Sequence, residues 1–109
     1  MEHQIRFISS VQVAGRTGLT HAIDYVIPSW DKAPERLIKT INNPTKEKVT
    51  SMLFAWNDIR DFRKSSRLYA MVNDTDKPLS ANLASVCQDQ GVNVVPWSRR
   101  QEYLAEFSA

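Results

Sequence analysis

The chain is short of cysteine, glycine and net charge, and each shortage excludes a class of protein. One cysteine among 109 residues, Cys87, allows no internal disulfide and no multi-thiolate metal site, so a reducing, cytoplasmic setting is expected. With only 3 glycines and 5 prolines, the chain is neither collagen-like nor of low complexity. Fourteen basic residues against twelve acidic leave a net charge of +2, too small a surplus to argue alone for nucleic acid or a membrane surface. No apolar run approaches the roughly 20 residues that span a bilayer. The opening MEHQIRFISS lacks the apolar stretch of a signal peptide, so no membrane role is expected. What is present is 42% hydrophobic and 24% charged, an ordinary globular composition at the length of one domain, 1–109.

The first 28 residues read as a hairpin. Ile5, Phe7, Val11 and Val13 share one face of a period-two pattern, with Gln4, Arg6, Ser10 and Gln12 largely opposite. Gly15-Arg16-Thr17-Gly18 supplies a tight turn. A second strand, about Leu19 to Ile27, then sends Ile23, Tyr25 and Ile27 to one side and Ala22, Asp24 and Val26 to the other. SWDKAP, between two prolines, is a loop, and RLIKTI from Arg36 is a third strand. Asn43 as N-cap and Pro44 at the first position open a helix whose stripe is Val49, Met52, Leu53, Trp56 and Ile59.

Leu68 to Val72 is a nearly continuous apolar run, as in a strand covered on both faces. Asp76 caps a second helix with the stripe Leu79, Leu83, Val86 and Cys87, and Gly91 stops it. Val92 to Val95 is a further buried strand ended by Pro96. Ser98 and Gln101 have capping-box spacing for a last helix that turns Tyr103, Leu104 and Phe107 inward. The predicted fold is α/β (α+β), in the order β-β-β-α-β-α-β-α, with a mixed sheet.

This order gives two residues a chemical meaning. Asp24 and Lys39 fall on adjacent strands, and a metal-dependent nuclease needs oxygen ligands for Mg²⁺ and a lysine beside the phosphate. The nuclease pattern places an acid on one strand, then an acid, any residue and a lysine on the next. Here those three places hold Leu37, Ile38 and Lys39, so the second acid is missing. Glu35 lies about 13 Å from Lys39 along an extended strand at ~3.3 Å per residue, and Asp31 is on the loop. The other reading of Asp24 is structural, bonded to backbone or paired with Lys39.

The segments THAIDYVIP, PERLIKTINNP, VTSMLFAWNDIRD, LYAMVND and GVNVVPWSRR together resemble domain of unknown function 1829, over about Ile5 to Arg100. That module usually forms the C-terminal half of two-domain bacterial and phage proteins. The element order also resembles the restriction-endonuclease-like fold, in which Asp24 and Lys39 would hold the metal-ligand and lysine positions. The resemblance implies a phage or mobile-element setting and a nucleic-acid-processing or defence complex as partner.

Other residues carry less chemistry. His21 falls on the strand face opposite Asp24 and reads as an exposed or hydrogen-bonded histidine, and Cys87 as a buried, inert thiol. Arg60, Arg63, Lys64 and Arg67 are explained as cations at a helix C-terminus, diluted by Asp58 and Asp61. Arg99 and Arg100 differ, because cations at a helix N-terminus oppose its dipole, which points to an external anion. Trp97 beside them offers a stacking or anchoring surface, and Arg16 an exposed phosphate contact. Two functional classes follow. One is a non-catalytic, degenerate nuclease-like binding module without cofactor, using Trp97, Arg99, Arg100 and Arg16 on a protein or nucleic-acid partner. The other is a Mg²⁺-dependent nuclease using Asp24 as metal ligand with Lys39. A homodimer serving as an assembly part is a third class.

Overall fold

The computed structural model describes residues 6–108. Five strands form one sheet in sequential order: β1 (Ile8–Ala14), β2 (Thr20–Ile27), β3 (Arg36–Asn42), β4 (Arg67–Asn73) and β5 (Asn93–Pro96). β1, β2 and β3 pair antiparallel, whereas β3, β4 and β5 run parallel. The parallel steps are made by α1 (Lys46–Ile59) and α2 (Ala81–Asp89). Both crossovers advance in the same direction along the sheet, so a common hand puts both helices on one face. The fold is thus mixed α+β, as the hydrophobic pattern predicts.

Two cores follow from the pleat. Leu37, Ile41, Leu68, Ala70 and Val72 point to the α1–α2 side, where they meet Val49, Met52, Leu53, Trp56, Ile59 and Cys87. Ile27, Ile38, Tyr69 and Val95 point to the opposite side, which Phe107 of α3 (Leu104–Ser108) closes. The unbroken run in β4 is explained by these two cores: Leu68, Ala70 and Val72 serve one, while Tyr69 and Met71 serve the other.

Several expected boundaries move. The N-cap of α1 is Thr45, whose hydroxyl accepts from the Lys48 amide at 3.2 Å. Asn43 instead takes a left-handed φ of 54°, which Asn tolerates, so Pro44 precedes the helix rather than opening it. α2 likewise starts at Ser80, which accepts from the Leu83 amide at 3.2 Å, leaving Asp76 and Pro78 in the loop before it. Within its stripe Cys87 is buried and Leu79 and Leu83 half-buried, but Val86 is exposed. β1 begins only at Ile8, with Phe7 exposed just before it; Gln4 and Ile5 lie outside the described residues. Ser10 has a left-handed φ of 56°, which interrupts the even alternation expected of this strand.

The strict alternation predicted for β2 also fails. Ile23 and Val26, three positions apart, both join the first core, while Ile27 joins the second and Tyr25 is exposed. The pleat therefore breaks at Asp24 and Tyr25, opposite the irregular Ser10.

The end of the chain differs too. Trp97–Tyr103 is a 3₁₀ segment with non-helical dihedrals at Arg99, and α3 starts only at Leu104. Ser98 does not cap it reciprocally with Gln101. Its amide and hydroxyl instead donate to the Asp74 carboxylate, at 3.1 and 2.6 Å. Phe107 is inward as expected, edge-on to Tyr69 at 5.1 Å between ring centres. Because Phe107 is the buried side chain that α3 brings to the second core, Phe107→Ala should cost about 3 kcal/mol of stability, measurable by urea unfolding. A loss below half that would mean the core closes without it.

Candidate functional site

The β2–β3 ladder holds only from Tyr25 opposite Ile38 to Ile27 opposite Arg36. Beyond it, side chains take over the bonding. The Asp24 carboxylate accepts from the Thr40 amide at 2.8 Å and the Thr40 hydroxyl at 3.1 Å, and Lys39 Nζ donates to the Ala22 carbonyl at 3.0 Å. Backbone groups that a regular ladder would pair are satisfied instead by an acid and a base. A cleft of ≈ 580 Å³ opens between this part of the sheet and α1, lined among others by His21, Lys39, Thr40, Lys48, Ser51 and Trp56.

Asp24 and Lys39 are thus brought to adjacent strands as expected, but each binds backbone rather than the other. The acids proposed to complete a metal site do not converge on them. Glu35 lies at the opposite end of β3, accepting from Arg63 at 2.6 Å and Ser66 at 2.7 Å, and Asp31 sits in the loop with a φ of 53°. Leu37 and Ile38 are buried. Among the described residues, no group of three or more His, Cys, Asp and Glu is placed to hold a metal ion. Glu35, named as the second acid of such a site, is thus engaged elsewhere.

One acid that the sequence reading assigned only to diluting nearby cations is buried. Asp58, near the end of α1 and only 3% exposed, accepts from the Thr17 amide at 2.9 Å, the Thr17 hydroxyl at 2.7 Å and His21 Nε2 at 2.7 Å. The Arg16 amide donates to the Asp58 carbonyl at 2.8 Å. Gly15 passes so close to this carboxylate that a Cβ there would collide with it. Three donors, His21 first and then Thr17, hold the Asp58 pKa down at about 2. His21 therefore does meet an acid, though not Asp24. The only sequence signal was an aspartate interrupting the hydrophobic end of an amphipathic stripe.

The Trp97 edge is internally satisfied. Arg99 makes a two-point bond to Glu102, Nε at 2.7 Å and Nη2 at 3.0 Å, and that bond raises the arginine pKa and lowers the glutamate's. Arg100 lies 4.2 Å from the centre of the Trp97 ring and donates to the Trp97 carbonyl at 2.9 Å. Because the segment is 3₁₀ and α3 starts later, neither arginine opposes a helix dipole, and that reason for an external anion falls away. Trp97 is exposed, and Arg16 pairs with Asp61 at 3.3 Å. Burial pushes the Cys87 thiol pKa up, in keeping with an inert core thiol.

The architecture is that of an α+β protein with a five-stranded mixed sheet, helices α1 and α2 on one face and a short closing helix on the other. Residues 15–100 match the family described as Domain of unknown function DUF1829, and the chain belongs to that family. No curated protein matches it. A crystal structure described as Protein of Unknown Function AF1548 is similar in fold, with a TM-score of 0.66 at 13% identity over 86% of this chain and 50% of that one. The chain thus spans half the length of that protein, and a likeness at this identity concerns the fold alone. No helix among the described residues is long and apolar enough to cross a membrane.

Asp58 makes stability depend on acid. Its folded pKa of about 2 lies below the ordinary 3.8, so its contribution is complete above the ordinary value and is lost as pH falls from there toward the folded one. Urea unfolding midpoints of wild type and Asp58→Asn should differ clearly at pH 5, with wild type the more stable. The gap should narrow steadily toward pH 2, and a gap independent of pH would refute the anchor.

Proposed function

We infer that this chain is a non-catalytic binding module on a nuclease-like scaffold. The observation that carries this reading is the Asp24 carboxylate, whose hydrogen bonds to the Thr40 amide and hydroxyl repair a broken sheet ladder. Both bonds fall on Oδ2, so an ion could take only Oδ1 without competing for the Thr40 donors, and Glu35, named as a further ligand, is held by Arg63 and Ser66. Lys39, the residue that would face a phosphate in a nuclease, is likewise tied to the Ala22 carbonyl. The scaffold resemblance rests on the strand order and on the Asp24 and Lys39 positions. The expected partner is a nucleic-acid-processing or defence complex of phage or mobile-element type, acting in the cytoplasm.

Purified protein incubated with supercoiled DNA and Mg²⁺ or Mn²⁺ should leave the plasmid intact. In the same reading, Asp24→Ala should lower stability by about 1–2 kcal/mol, the value of a charge-assisted hydrogen bond that water partly replaces. Divalent-dependent nicking that disappears in Asp24→Ala, with no loss of thermal stability, would establish the nuclease instead.

A further inference from the structure

At the amino ends of the parallel strands, across Trp56 from the cleft beside Lys39 and Thr40, a second groove of ≈ 440 Å³ lies between the end of α1, the start of β4 and the turn before β5. Its lining includes Arg60, Asp61, Arg63, Lys64, Ser66 and Arg67, four cations against one acid. By sequence, Asp58 and Asp61 should neutralise this group. In three dimensions they do so only in part: Asp58 is turned to Thr17 and His21, and Asp61, although on the groove wall, pairs with Arg16. Glu35 answers Arg63 alone. Lys64 and Arg67 are exposed and have no ion pair among the described residues.

Arg60 is fixed without being neutralised. Its Nη1 donates to the Gln90 carbonyl at 3.3 Å and Asn57 Oδ1 at 3.4 Å, both uncharged, and its guanidinium lies 5.4 Å from the Trp56 ring centre. A guanidinium held by neutral acceptors keeps its full charge in a defined place, the arrangement that recognises an anion with little ordering cost. Phe62, 63% exposed, stands on the same 3₁₀ turn, Arg60–Phe62. A cationic groove flanked by an exposed ring suits a backbone of phosphodiesters whose bases are free to stack.

We propose that the groove of Arg60, Lys64 and Arg67 binds the phosphate backbone of single-stranded nucleic acid, with Phe62 as a stacking surface. This gives the binding reading a ligand class and rests on it only in taking nucleic acid rather than protein as the partner. Lys64 and Arg67 line no part of the cleft beside Lys39 and Thr40, so the nicking assay and the following one fail independently.

The test is fluorescence anisotropy with a labelled oligothymidylate of about 20 residues and a duplex of the same length, between about 50 and 200 mM NaCl. Wild type should prefer the single strand. Lys64→Ala with Arg67→Ala should weaken binding about tenfold and reduce the log–log salt slope by about 1.4, two contacts at ~0.7 each. Lys64→Arg with Arg67→Lys should restore both, which separates charge from misfolding, and Arg99→Ala with Arg100→Ala should bind as wild type does. Absence of wild-type binding, or an unchanged slope in the groove variant, overturns the proposal. Loss of binding in the Arg99/Arg100 variant alone overturns it as well. Equal affinity for the duplex, or a Phe62→Ala variant as tight as wild type, overturns the single-strand assignment.

Discussion

The carboxylate of Asp58 joins the two halves of the molecule. The β1–β2 hairpin extends the antiparallel side of the sheet, beyond the strands that α1 and α2 connect, and its turn reaches the end of α1. One acid near the end of α1 gathers the Thr17 amide, the Thr17 hydroxyl and the His21 ring, so the turn is docked on the helix. The requirement reaches back into the turn sequence, since Gly15 is the residue without a Cβ where the carboxylate passes. A buried acid is tolerable only when such donors replace its water, and here they do. The same contacts turn its charge away from the arginines that follow it in sequence.

Periodicity made the central elements legible. The α1 stripe from Val49 to Ile59 is buried as its spacing requires, and the apolar run of β4 is explained by a core on each side. Boundaries were less legible because polar residues capable of capping occur in pairs: Asn43 and Thr45 before α1, Asp76 and Ser80 before α2. In each case the later one caps, and only the backbone path decides which side chain reaches a free amide. The kink in β2 was hidden for a related reason. Period-two counting presumes a ladder, and Asp24 replaces ladder bonds with its own side chain, so Ile23 and Val26 come to share a face.

The candidate sites show why charge is harder to read than hydrophobicity. Arg99 and Arg100 looked unbalanced because local dipole reasoning assumed an α-helix starting at Ser98. The chain forms a 3₁₀ segment there, in which Glu102 and the Trp97 ring receive the two guanidiniums. The cations after α1 looked balanced because two aspartates lie within a few positions. Proximity along a chain does not neutralise a charge; direction does. Asp58 and Asp61 both face the hairpin, a relation between segments about forty residues apart that no local pattern contains.

Strand β3 separates two kinds of chemistry. Midway along it, Lys39 and the neighbouring Asp24 of β2 complete the backbone bonding of a splayed pair of strands. At its amino end, Glu35 fastens Arg63 and Ser66 beside the groove, leaving the neighbouring cations unbalanced. Four residues of extended chain place Lys39 about 13 Å from Glu35 at ~3.3 Å per residue, beyond the Debye length of about 8 Å in physiological salt. Charges at one place have little influence on the potential at the other. The two places can therefore carry different charge arrangements, because nothing electrostatic obliges them to change together.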